Sequence, residues 1–396
     1  MNRYEKYKDS GIAWIGEIPE GWQLVKAKNI FMQRSTKGSL TNVLLSATQK
    51  NGMCPQHLVE GVVQVKQGTD LSTFKTVLIN DFVISLRSFQ GGFEMSEYEG
   101  VCSPAYQVFY NKTDIYHKFH KYLFKSYGFI SQINAFTMGI REGKNIQYFD
   151  FSLMYLPTPS VAEQEVIAEF LDRKCGEIDE AVALQETMIG ELVAYKQSVI
   201  TEAVTRGLNP DAPLRDSGIE WIGSIPAHWE VAQFKRCVSI NNGRDYKDIV
   251  AEVGYPVIGS GGVFTYASDF IYDGEALLLG RKGTIDKPMH YIGKFWTVDT
   301  MFYAITNHIA FCRYYYYHAH FFPYRMYSTS TALPSMTANA LLNNNVCIPP
   351  LQEQQAIADH LDRKCEEIDQ LIAIKREKIE QLKEYKKSVI FEYVTG

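Results

Sequence analysis

The chain has 396 residues, 46% of them apolar, which allows two or three domains with real cores and predicts a chain folded throughout. No apolar run approaches the roughly 20 residues of a membrane span, and MNRYEKYKDSG lacks the apolar middle of a secretory signal, so a cytoplasmic protein with no membrane partner is expected. The net charge of −5 disfavours a nucleic-acid partner only until it is divided: residues 23–155 carry +5 and 230–345 carry +1, while 160–206 carry −6 and 351–396 carry −2.

The chain opens on DSGIAWIGEIPEGW (Asp9–Trp22), which returns as DSGIEWIGSIPAHW (Asp216–Trp229) with 10 of 14 positions identical. Glycine and proline punctuate it too densely for a helix, so it reads as an extended clasp, and Trp14, Trp22, Trp221 and Trp229 read as packing anchors. After each clasp comes a segment unlike its counterpart. Short apolar runs bounded by turn signals predict strands at Val43–Leu45, Val62–Val65, Val77–Ile84 and Tyr106–Tyr110, then at Tyr255–Ile258, Ala276–Leu279 and Met301–Ile305. Aromatic amphipathic stretches at Ile115–Ile130 and Ile309–Met326 predict helices, with Tyr314–Tyr317 about half buried in a core. Each globule ends on a proline-marked edge, LPTPSVAEQ and IPPLQEQ.

A second repeat follows each globule. Glu163–Thr205 and Glu353–Thr395 coincide at 23 of 43 positions, including LDRKC in both. Leu171, Ile178, Gln185, Leu192 and Val199 alternate with Ala168, Cys175, Val182, Ile189, Lys196 and Ala203 in the 4,3 spacing of a coiled-coil seam, and the second copy keeps the register. At 1.5 Å per residue each rod runs about 65 Å. Polar residues in the seam, Gln185 with Lys196 and Lys375 with Lys386, fix register or partner choice, and the simplest partner is the other copy. Seven cysteines without a CxxC, two of them at matching seam positions, predict free thiols.

The paired motifs DSGI.WIG.IP..W and PP.xEQ..IA..LD.K…EID…I..L..YK.S.I.E.VT resemble, over the whole chain, the specificity subunit of type I restriction–modification enzymes (HsdS). The first half carries PTPSVAEQ where the second has the more family-like IPPLQEQ. The resemblance implies an α+β chain of two mixed α/β target recognition domains, 1–155 and 208–345. Two long helices, 156–207 and 346–396, would join them as an antiparallel coiled coil with a pseudo-two-fold internal repeat. It implies double-stranded DNA read as a bipartite target, two methyltransferase subunits, and restriction subunits in the full complex. S-adenosylmethionine, Mg²⁺ and ATP are then expected on those partners and no cofactor on this chain.

Catalytic motifs are absent from the sequence. There is no GxxxxGK[ST] and no HExxH, and Asn209-Pro210-Asp211 does not fit the Asn-Pro-Pro-aromatic of an amino-methyltransferase, so a noncatalytic subunit is expected. His117 with His120 and His318 with His320 lack further ligands at metal spacing, and no metal is expected. Both globules contain an apolar strand ending in arginine, Arg87 and Arg281, followed by polar glycine loops that hold Gln90 in one and Lys282 and Thr284 in the other. Arginine there presents a planar fork for guanine or phosphate. Further candidates are Ser260 in Gly259–Gly262, Arg141, Lys144 and Asn145 in MGIREGKNIQ, and Thr329 in YSTSTALPS, suited to phosphates or, for Asn145, adenine. The rival expectation is a coiled-coil scaffold whose globules bind proteins.

Overall fold

The computed structural model describes residues 4–38, 43–49, 51–59, 70–135, 146–328 and 334–396. The two copies of the long repeat are helices that begin at equivalent positions, Val161–Arg206 and Leu351–Thr395. Contacts divide the chain into two units, Met1–Gln185 with Glu377–Gly396, and Glu186–Arg376, so each unit holds part of both long helices.

In the first unit the clasp is a tight hairpin: Tyr7–Asp9 pairs with Glu17–Pro19 around a turn in which the Asp9 carboxylate accepts the Gly11 N–H. Folding back satisfies backbone groups that a purely extended clasp would leave open. Gln23–Lys26 then pairs antiparallel with Tyr155–Thr158. A four-stranded sheet follows, in the order Phe31–Gln33, Gln107–Asn111, Phe82–Ile84, Glu94–Met95. Its core is aromatic, with Phe31, Phe82, Phe93, Phe109, Phe124, Phe129 and Phe151 all buried.

The expected strand Val77–Ile84 is two strands, Lys75–Val77 and Phe82–Ile84. Asn80 turns the chain at φ 68°, and the buried Asp81 carboxylate holds that turn by accepting the Leu78 N–H and two Arg34 guanidinium N–H groups. The strands expected at Val43–Leu45 and Tyr106–Tyr110 lie at Leu45–Thr48 and Gln107–Asn111, while Val62–Val65 falls outside the described residues. The stretch Ile115–Ile130 is two helices, His117–Lys125 and Tyr127–Ala135, because Ser126 is extended at ψ 145° and its hydroxyl bonds the Leu123 carbonyl.

The second unit repeats the frame around a different sheet. Leu214–Asp216 pairs with Ser224–Pro226, and Glu230–Gln233 with Asn345–Ile348. Seven strands then run in the order Val238–Asn242, Met301–Thr306, Tyr272–Gly280, Met289–Thr297, Tyr255–Gly259, Gly262–Ala267, Val250–Ala251. The stretch Ile309–Met326 is interrupted at Pro323, which has no N–H to give, leaving helices Cys312–Ala319 and Tyr324–Tyr327. Of Tyr314–Tyr317 three are buried, more than the expected half. One side of this helix meets the sheet and another meets the long helix, where Tyr317 Oη donates to Asp362.

The seam follows its predicted register. Ala168, Leu171, Cys175, Ile178 and Ala203 are buried, as are Ala358, Leu361, Cys365, Ile368, Ile372, Ile379 and Val389. All seven cysteines are buried free thiols. In the first unit Phe170 packs on Tyr393 and Lys386 Nζ donates to Asp179 at 2.6–2.7 Å, an antiparallel order. In the second, Lys196 Nζ donates to Asp369 at 2.6–2.8 Å. These are one interaction made twice with the copies exchanged, since Lys196 corresponds to Lys386 and Asp179 to Asp369.

The repeated motifs dock each globule in the same way. Trp22 and Trp229 are buried, and their indole N–H groups donate to Glu163 Oε1 and Glu353 Oε2 at 3.0 and 2.9 Å. The neighbouring Gln164 and Gln354 are also buried. Their side-chain oxygens accept the Tyr116 and Phe311 backbone N–H at 2.9 and 2.8 Å, at the start of each aromatic helix. Their amides donate to the Pro159 and Pro349 carbonyls at 3.0 and 2.8 Å. Asp172 takes Lys118 and Tyr122, and Asp362 takes Arg313 and Tyr317. The two aromatic helices therefore match at an offset of 195, although of the residues 116–124 and 311–319 only Tyr122 and Tyr317 are identical.

Candidate nucleic-acid interface

In the second unit four connections gather at one end of the seven-stranded sheet: 242–246, 259–262, 280–285 and 297–301. They are tied by backbone hydrogen bonds. Arg244 N donates to Thr297 O at 2.9 Å, Gly243 N to Met301 O at 3.0 Å, and Arg281 N to Thr300 O at 2.8 Å. Val298 N reaches Ile258 O at 3.3 Å. Glycine makes the close approach possible at two places: a Cβ on Gly243 would run into the Val298 carbonyl oxygen, and one on Gly280 into that of Thr284. The 334–336 segment closes over the same loop, with Gly283 N donating to Pro334 O and Met336 N to Arg281 O, both at 2.9 Å.

This cluster brings together Ser260, Arg281, Lys282 and Thr284, the four candidates of the second globule that lie among the described residues. Ser260 Oγ lies 3.7 Å from where a Gly283 Cβ would stand, so the two loops touch. Lys282 is exposed, whereas Arg281 is half-buried: its Nη1 donates to Asp299 O at 3.2 Å and its guanidinium lies 5.9 Å from the Phe302 ring centre. That contact holds the fork in one direction and leaves it further N–H groups to give. Arg244 and Asn242 are exposed on the adjoining loop and were not among the sequence candidates. The signal was present in Asn241-Asn242-Gly243-Arg244, a glycine turn beside an arginine. Acids interleave with these cations: Asp245 Oδ1 accepts the Tyr246 and Lys247 N–H groups, and Asp299 is exposed. Beside the rim, Phe264 is half exposed with its ring edge-on to Tyr246 at 5.2 Å.

In the first unit Arg87 and Gln90 are both exposed. The expected glycine loop is a one-turn helix, Ser88–Gly91, and Arg87 stands at its start with Ser85 Oγ accepting the Arg87 N–H at 3.3 Å. A serine on each side makes the turn, because Ser85 N also donates to Ser88 Oγ at 2.8 Å. Three other cations of this unit serve its interior: Arg34 is paired with Asp81, Lys125 with the buried Glu94, and Lys75 Nζ donates to the Tyr106 carbonyl. Arg141, Lys144, Asn145 and Thr329 lie outside the described residues. The tryptophans of the clasps are core anchors: Trp14 packs on Phe129 at 5.9 Å and Trp221 on Phe321 at 5.2 Å. Of the two histidine pairs, His120 and His318 are buried and neutral, held down to about 4 and about 3 by loss of solvent.

The family model described as "Type I restriction modification DNA specificity domain" matches residues 226–384. The chain is 23% identical to the type I restriction enzyme MjaVIII specificity subunit of Methanocaldococcus jannaschii, over 96% of this chain and 93% of that one. It is 32% identical to the EcoBI specificity subunit of Escherichia coli over 102 residues, 26% of this chain and 20% of that one. Among solved structures, one from a study of assembly and conformational transition of the type I R-M system superposes with TM-score 0.72 at 13% identity, covering 95% of this chain and 98% of the other. The HsdS subunit from Thermoanaerobacter tengcongensis superposes with TM-score 0.55 at 14% identity, covering 96% and 98%. Among the described residues no helix is long and apolar enough to cross a membrane.

Proposed function

We propose that the chain is a type I restriction–modification specificity subunit that reads a bipartite DNA sequence, one half through each globule, a reading supported by the family model over residues 226–384 and by the likeness to the MjaVIII specificity subunit along nearly the whole chain. The observation that carries this reading is a frame used twice around two unlike sheets. The Trp–Glu, Gln–backbone and Asp–Tyr contacts recur residue for residue, while one unit holds a four-stranded sheet and the other a seven-stranded one. Identical docking with different loops serves a protein that presents two different surfaces. Arg87 and Gln90 in one half, and Ser260, Arg281, Lys282, Thr284 and Arg244 in the other, are the groups offered to the duplex.

On this reading the chain is noncatalytic and acts in the cytoplasm as the sequence-reading part of a complex with two methyltransferase subunits and restriction subunits. S-adenosylmethionine, Mg²⁺ and ATP belong to those partners. The long helices, acidic along 160–206, suit protein contacts better than phosphate ones. The test is twofold. The purified chain with its methyltransferase partner is expected to modify one bipartite sequence, and neither alone to do so. Binding to that duplex is expected to weaken linearly in log salt, with a slope near −0.9 for each phosphate neutralised. Methyl transfer by the chain alone overturns the noncatalytic reading; binding that ignores both sequence and salt favours the protein scaffold.

A further inference from the structure

The second unit contains a group of three metal-ligating side chains that sequence-reading does not use. Glu275 lies on the strand Tyr272–Gly280, His290 on Met289–Thr297, and Cys312 is the first residue of the helix Cys312–Ala319. The strands pair with Leu277 opposite His290, so Glu275 stands two residues along from His290's partner, on the same face. Leu277 and Leu279, also on that face, belong to the core cluster that contains Cys312. One ligand atom from each of the three residues lies within 4.8 Å of the other two, and His290 Nε2 is 2.7 Å from Glu275 Oε1.

A histidine–glutamate hydrogen bond accounts for two of the three. It does not account for Cys312, whose thiol is buried and, among the described residues, has no hydrogen-bond partner; the Cys237 sulfur, by contrast, lies 3.1 Å from Tyr315 Oη. The ring of Tyr316, one helical turn beyond Cys312, backs the imidazole at 6.1 Å and limits its swing. Burial and the neighbouring Glu275 carboxylate push the Cys312 thiol up to about 12, so the thiol is protonated in the free protein and a cation that binds there releases its proton.

We propose that Glu275, His290 and Cys312 bind one zinc-class divalent cation. One sulfur, one nitrogen and one oxygen donor suit such a borderline-soft ion, and exclude magnesium or calcium, which take oxygen. Donors in a tetrahedral zinc site stand about 3.4 Å apart for bonds of about 2.0–2.3 Å. The cation therefore draws the sulfur inward and takes the place of the hydrogen bond between Glu275 and His290. The half-exposed Glu275 gives it a way in and leaves a fourth position for water. His290 lies immediately beyond the connection that carries Arg281, Lys282 and Thr284, so the ion pins the base of that loop to the helix. No ligand-spacing motif marks a metal here, because the three residues are 15 and 22 positions apart.

The test uses the full purified chain, stripped with a chelator in buffer free of thiols, then titrated with Co²⁺ as an optical probe and with Zn²⁺ by calorimetry. One equivalent is expected, with the visible absorption of tetrahedral Co²⁺ and a thiolate-to-cobalt band, and Zn²⁺ is expected to raise Tm. Cys312→Ser is expected to abolish the thiolate band. His290→Asn is expected to abolish one-equivalent binding while keeping the sulfur, which decides the matter if the serine variant does not fold. Absence of the thiolate band in the parent protein, or unchanged binding in a folded variant, overturns the proposal. Neither result bears on whether the chain reads DNA.

Discussion

Lys282 and Arg244 stand on adjoining loops of the second unit, but their chemistry separates their expected effects. Lys282→Ala removes a flexible point charge, so affinity is expected to fall about equally on all sequences and the salt slope to shrink by about one. Arg244→Ala and Arg87→Ala remove planar forks from exposed loops; each is expected to cost about 1–3 kcal/mol and to relax specificity in one half-site only. Competition binding against duplexes altered in one half checks both. A second residue-scale prediction concerns acid. His318 Nε2 accepts the Cys347 N–H at 3.1 Å and His120 lies among Phe31, Phe119 and Phe124, so both rings are neutral when folded. Their folded pKa values, about 3 and about 4, lie below the unfolded value of 6.5, so the unfolded chain takes up the protons first. The stability they contribute is whole above about pH 6.5 and is lost as pH falls toward 4, at about 1.4 kcal/mol per pH unit for each ring. Urea midpoints at pH 7 and 5.5 check this; His120→Leu is expected to reduce the slope of the first unit by about one proton.

At the scale of elements, the contacts that dock each globule differ in weight. Gln354 is buried and accepts the Phe311 N–H while donating to the Ile309 and Pro349 carbonyls at 2.9 and 2.8 Å. Gln354→Ala is expected to destabilise the second unit by about 1–3 kcal/mol for each group left without a partner. The Lys196–Asp369 pair is wetter, its side chains 28% and 58% exposed, so Asp369→Ala is expected to cost about 0–1 kcal/mol. Equilibrium unfolding of the two variants side by side checks the ranking, and a larger loss from Asp369→Ala would reverse it. This ranking explains why the EQ pair follows each proline edge: the glutamate takes a clasp tryptophan and the glutamine takes the start of an aromatic helix.

For the whole molecule, the repeated frame predicts modularity. Replacing residues 23–155 with the corresponding globule of a relative that keeps the Tyr–Asp172 and Gln164 contacts is expected to change one half of the recognised sequence and preserve the other. Sequencing of methylated DNA from cells carrying the chimera and its methyltransferase partner checks this. A change in both halves together would show that the globules do not read independently.

The clasps, the long helices, their seam register and the division into two halves follow from the sequence by itself, because each rests on spacing along the chain. Identity at a fixed offset marks the repeats, and a 4,3 pattern of apolar residues marks the seam whichever partner fills it. The tertiary structure alone decided three things. Asp81 and Asn80 break one expected strand into two, since a buried carboxylate accepts from Arg34, 47 residues away, as well as from Leu78 beside it. The aromatic helices match at an offset of 195 with almost no identity, because what they share is a position to be capped by Gln164 or Gln354 and a tyrosine within reach of Asp172 or Asp362. The loop cluster around Arg244, Ser260, Arg281 and Thr300 is assembled because Val238–Asn242 lies beside Met301–Thr306 and Tyr255–Gly259 beside Met289–Thr297, strands distant in the chain, and only strand order brings such residues together.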